Sequence, residues 1–165
     1  MGILYTVWPL DAKAREWLTS EGVPFPPDAS SRWPTRSELE KVLSELRGFT
    51  VDFTRNGTGQ RWGASVDDGE EDGNWTLLHA EPQDDDSCTH LSFEKGEPTL
   101  IVAILRALSA HVGPLMLLPD VGCPPMVVSI SKSVPDIVAD FYTIEEDSPK
   151  WQRLLQNAPG AAPVQ

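Results

Sequence analysis

One short stretch constrains the fold of this chain more than any other. From Phe49 to Arg55 the apolar Phe49, Val51 and Phe53 alternate with Thr50, Asp52 and Thr54, and the run passes straight into Asn56-Gly57. A period of two gives a strand with one buried and one wet face. Asn-Gly readily supplies the positive φ angles of a tight hairpin turn. Gln60 to Val66 then reads as the returning partner, so an antiparallel pair sits at the centre of the chain.

The surrounding segments extend that pair. Trp75 to Ala80 and Cys88 to Phe93 read as two more strands, which makes an antiparallel meander of four. Ile3 to Trp8, Leu115 to Leu118 and Met126 to Ile130 are further strands. Helices are predicted over Leu10 to Ser20 and from Thr35, whose side chain and Glu38 form a capping box ahead of Leu39, Val42, Leu43 and Leu46. Pro98 opens the clearest helix, with Leu100, Ile101, Ile104, Leu105 and Leu108 as its buried stripe and Gly113 as its stop. Two short helices follow, over Pro135 to Tyr142 and Pro149 to Gln156. Val23 to Pro34 is a proline-rich connection. The expected fold class is α+β: a central antiparallel sheet with helices packed on one face, as a single domain over residues 1–156, with residues 157–165 as a flexible tail.

Length and composition fit that reading. The 165 residues are 40% hydrophobic and 23% charged, which suits one globular domain with a proper core. No stretch is apolar for long enough to span a membrane. Cys88 and Cys123 are far apart and belong to no CxxC pair, so two free thiols of a cytoplasmic protein are expected. The net charge is −12, and between Ser65 and Glu97 eleven acids face one base, Lys95. Such a field repels nucleic acid and anionic membrane and attracts basic proteins.

Chemical signatures are sparse. Asp68 to Gly73 suggests a calcium loop, but Glu70 stands at its third position, His79 at its twelfth, and its flanks are strands, which excludes an EF-hand. Cys88, His90 and His79 offer three soft ligands where a structural zinc site uses four, so no metal is expected. Gly57-Thr-Gly59 lacks the lysine and the helix of a phosphate loop, and no Gly-x-Ser-x-Gly elbow occurs. No cofactor and no catalytic residue is expected. The surface that stands out is the acidic loop Asp67, Asp68, Glu70, Glu71 and Asp72, flanked in sequence by Trp62 and Trp75. Aromatic anchors beside a charged patch are the chemistry of a protein-binding surface. Asp67 to Asp72 and Asp84 to Asp86 are expected at the same end of the sheet. That requires the second loop to fold back or the strand order not to be sequential, since a sequential meander puts alternate turns at opposite ends.

The segment from His90 to Val128 carries a resemblance. His90-Leu-Ser-Phe-Glu-Lys-Gly96, the helix ending Ala107-Leu-Ser-Ala-His-Val-Gly113, then Pro114-Leu-Met-Leu-Leu-Pro-Asp120 and Pro125-Met-Val-Val128 make a strand–helix–strand–turn–strand unit. It resembles small bacterial immunity proteins that neutralise secreted toxins or type VI effectors. The resemblance covers about a quarter of the chain. It implies a non-catalytic inhibitor held in the cytoplasm, whose partner is a cognate toxin or effector protein, basic and in one version a nuclease. Two other readings stay open at this point: a small enzyme or ligand-binding domain using His79, Cys88 and His90, and an acidic adaptor subunit of a larger assembly.

Overall fold

The structure is a computed structural model and describes residues 3–55, 62–82, 87–139 and 141–158. Its elements run β1 (Leu4–Pro9), α1 (Ala12–Ser20), α2 (Arg36–Ser44), β2 (Thr50–Arg55), β3 (Trp62–Asp67), β4 (Trp75–Pro82), β5 (Cys88–Glu94), α3 (Pro98–Val112), β6 (Leu115–Pro119), β7 (Met126–Val128), α4 (Val134–Val138) and α5 (Pro149–Asn157). The expected α+β class is what the chain forms. The Asn56-Gly57 turn and the Gly57-Thr-Gly59 segment lie outside the described residues.

All seven described strands join one antiparallel sheet in the order β2-β3-β4-β5-β1-β6-β7. The first four are the expected meander. It follows that the β3–β4 connection and the β4–β5 connection emerge at opposite ends; Asp84 to Asp86, in the second, lie outside the described residues. β1 is inserted in the middle, with β5 on one side and β6 on the other.

The pleat sorts each strand into two faces. Tyr5 and Val7 of β1 lie on the inner face with Phe93 and Leu91 of β5 and Leu117 of β6. The inner face continues through Leu78 and Ala80 of β4 and Trp62, Ala64 and Val66 of β3. Against it lie Leu39, Val42 and Leu43 of α2, nearly the whole of α3, Val134, Ile137 and Val138 of α4, and Trp151 and Leu154 of α5. Leu100, Ile101, Ile104, Leu105 and Leu108 of α3 are fully buried. The first half of α3, from Pro98 to Leu105, is buried all round, against the sheet and its neighbouring helices, while Ala110 and His111 near its end are exposed.

Four helices therefore share one face, as expected, and α1 does not. Ala14 and Leu18 of α1 pack with Met116, Trp8 and Val127, which the register places side by side on the outer face of β1, β6 and β7. The sheet there has apolar residues on both faces, so both need a cover. The outer face of β2 to β5 carries Asp52, Ser65, Leu77 and Glu94 in one cross-strand row and Thr54, Gly63, His79 and Ser92 in the next. Among the described residues no helix packs on that half.

Local chemistry sets the ends of the elements. Thr35 and Glu38 form the predicted capping box: the Glu38 N–H donates to Thr35 Oγ1 at 3.1 Å and the Thr35 N–H to Glu38 Oε1 at 2.9 Å. Asp11, Ser133 and Ser148 cap α1, α4 and α5. Arg15 of α1 reaches across to the carbonyls of Leu10, Pro27 and Ala29, and so ties down the proline-rich connection. Asn157 and Ala158, expected in the flexible tail, are tied to the domain. Asn157 closes α5 and its carbonyl accepts from the Arg47 N–H, while Ala158 is buried in the core.

Candidate functional site

The acidic loop lies between β3 and β4 and is built around Asp68. One Asp68 oxygen accepts from the Glu70 N–H at 3.1 Å. The other accepts from the Asn74 N–H and Nδ2, both at 3.0 Å, and from Arg153 Nε at 3.1 Å. Asp67 does the same more locally, taking the Gly69 N–H at 2.6 Å. These are Asx turns, and they fold the loop back on itself. A side chain at Gly73 would run into the Asp68 carboxylate, so glycine is needed for that close approach. Burial pushes the Asp68 carboxyl upward. The N–H donors of Asn74 and Glu70, with Arg153, outweigh it and hold the group below its ordinary value.

This geometry divides the predicted surface. The Asp68 side chain is 2% exposed and is spent on the turn. Glu70, Glu71 and Asp72 project into solvent, and no described basic side chain pairs with them. Trp75 opens β4 on the outer face, directly opposite Asp67, and is 38% exposed. Trp62 does not belong to this surface. It begins β3 at the far end from the loop, faces the core, and stacks on Phe53 with ring centroids 5.4 Å apart.

Glu70 and Glu71 form a ridge between two clefts. The outer cleft, of about 560 Å³, is bounded by Asp52, Ser65, Asp67, Trp75 and Leu77. The other, of about 460 Å³, lies between the ridge and the C-terminal segment with Tyr142, Ile144, Glu145 and Trp151. Its two bases are already engaged, Lys150 with Glu97 at 2.8 Å and Arg153 with Asp68. Asp52 and Leu77 were missed from sequence. Each is an outward residue of an alternating strand, but only the register brings both beside Trp75.

The metal candidates are dispersed. The register shifts by one between Ala80 and Pro82, and Cys88 turns into the core while His79 and His90 stay on the outer side. His79 Nε2 lies 3.1 Å from Glu94 Oε2, and His90 Nε2 lies 3.2 Å from Ser92 Oγ. Among the described residues, no three His, Cys, Asp or Glu side chains are grouped to hold a metal ion. Ser92 is 3% exposed, so the hydroxyl beside His90 is not presented to a substrate. The two clefts at the acidic ridge are lined by neither histidine nor Cys88.

Among the described residues, no helix is long and apolar enough to cross a membrane. Comparison with protein-family models, with curated proteins and with solved structures finds no match to this chain.

Proposed function

We propose that this chain is a non-catalytic protein inhibitor, an immunity protein that stays in the cytoplasm and neutralises a cognate toxin or effector by binding it. The observation that carries the reading is the pinned turn, which holds Glu70, Glu71 and Asp72 uncompensated beside an exposed tryptophan and an open sheet face. Fixed carboxylates steer a basic partner into encounter, and an aromatic anchor slows its departure. Nucleases fit such a surface well, because their substrate sites are basic and carboxylates can take the places of phosphates.

Co-expression tests this. The product of the neighbouring reading frame should arrest growth when expressed alone and be harmless alongside this chain. Lysines at Glu70, Glu71 and Asp72 should slow association with that product, most strongly in dilute buffer, since screening confines surface fields to about 8 Å at physiological salt. A neighbour that is not toxic, or toxicity that this chain does not relieve, would overturn the reading.

A further inference from the structure

The two ends of the sheet are finished differently. β7, at one end, has three residues and follows Pro124 and Pro125. Short edges and prolines are the usual means of blocking strand-to-strand association. β2, at the other end, has six residues in unbroken register with β3, from Thr50 opposite Asp67 to Arg55 opposite Trp62. It contains no proline, no lysine and no bulge. Among the described residues no strand pairs with its free side, and no backbone hydrogen bond from a turn, loop or cap reaches residues 50–55. Among the described residues, nothing pairs with the row of backbone donors and acceptors on that side.

The side chains along this edge differ by face. On the inner side Phe53 is 46% exposed, and with Trp62 it floors a cleft of about 630 Å³ against Ser37, Glu40, Lys41 and Ser44 of α2. On the outer side Thr50 and Asp52 open onto the acidic cleft with Asp67, Glu70 and Trp75. An added strand alternates its side chains between these two faces.

We propose that the free edge of β2 receives an extended strand of the partner protein, with basic residues over Asp52 and apolar residues over Phe53. This rests on the partner-binding reading and names the form in which the partner is held. Main-chain hydrogen bonds would supply affinity and the two unlike faces would supply specificity. A second copy of this chain is a poor occupant. Two-fold pairing of β2 with itself would bring both Asp52 side chains to one face, between molecules of charge −12.

The probe is a synthetic peptide of alternating lysine and valine, matched in length to β2. Its binding to the full chain is followed by calorimetry and by amide hydrogen exchange. The alternate β2 amides that face away from β3 should exchange freely in the free protein and become protected with the peptide. N-methylation of every second peptide amide should weaken binding about tenfold or more on the pairing edge. Asp52→Lys should shift preference to a glutamate–valine peptide. The edge proposal fails if N-methylation weakens binding on neither edge of the peptide, or if the free protein already protects those amides, through a second copy or otherwise. It fails too if the lysine–valine peptide does not bind at all. Binding that survives N-methylation but is lost when Glu70, Glu71 and Asp72 become lysine would overturn the edge while leaving the acidic surface in place.

Discussion

Arg153 Nε sits 3.1 Å from Asp68 Oδ2, so a side chain of the last helix closes the turn between β3 and β4. The Asn74 side chain makes a second tie, donating from Nδ2 to the Lys150 carbonyl at 3.0 Å. The acidic ridge is therefore held from behind by α5. Asp68→Ala removes the shared acceptor of this network and should cost about 3 kcal/mol of stability, as for other broken buried pairs. Arg153→Ala leaves the N–H donors on Asp68 and should cost about 1 kcal/mol. Denaturant melts of the two variants check the order; equal losses would show that the ion pair, not the turn, is what matters.

Glu38 gives a prediction for acid. Its carboxyl is held down at about 2, chiefly by its hydrogen bond to Arg32, and the Thr35 N–H adds to this against the upward push of burial. A carboxyl depressed in the folded state stabilises above its unfolded value and loses that contribution as pH falls toward the folded one. Glu38→Gln keeps an acceptor for the Thr35 N–H but loses the charged pair with the half-exposed Arg32, and should therefore cost up to about 1 kcal/mol at neutral pH. The gap between the variant and the parent should close as pH drops from about 4.5 to about 2. Melts across that window measure it.

Tyr5 gives the alkaline counterpart. Its hydroxyl is buried in β1 with no hydrogen-bond partner among the described residues. Burial first, then Glu97 and Asp120, push the phenol up to about 12. An unfolded tyrosine ionises near 10, so the folded state loses stability as pH rises from there toward 12. Tyr5→Phe should remove part of that alkaline decline. At neutral pH it should be neutral or stabilising by about 1 kcal/mol, because the unsatisfied hydroxyl goes while the ring and its edge contact with Phe141 remain. A loss of stability at neutral pH would show that the hydroxyl has a partner.

Leu105 tests the core. It is fully buried in α3, between the sheet and the helices around it. Leu105→Ala should cost about 2–5 kcal/mol, the usual range for a cavity left in a packed interior. An unchanged thermal melt would contradict the layer order described above.

Much of this was legible from local pattern. The alternation in β2, the capping box at Thr35 and the apolar stripe of α3 each specify their element within a few residues. What was not legible depended on register. Trp62 and Trp75 flank the acidic loop in sequence, yet Trp62 is a full strand away from it, about 17 Å at the ordinary rise per residue. Cys88 and His90 are two apart and would share a face in a regular strand; the shift at Ala80 and Pro82 separates them. The side taken by α1 depends on Trp8, Met116 and Val127 coming together from three strands, which helical periodicity alone does not encode. Within the acidic loop, composition marks five carboxylates alike. Only the hydrogen bonds separate Asp67 and Asp68, which shape the turn, from Glu70, Glu71 and Asp72, which present charge.

The position of β1 has a consequence for how the chain reaches this state. It is made before the other six described strands, yet its neighbours in the sheet, β5 and β6, are more than 80 residues downstream. The meander β2 to β5 pairs through short connections as soon as it is made, but β1 must wait for β5, and β6 can join it only after α3 has passed. Until then its apolar Tyr5 and Val7 have no cover, in a segment well suited to pairing with the wrong strand. Such long-range closure slows folding relative to helical proteins of the same size. Refolding should thus show the α2-to-β5 region gaining amide protection before β1 does, with yield falling at high protein concentration because the waiting strand is the one that aggregates.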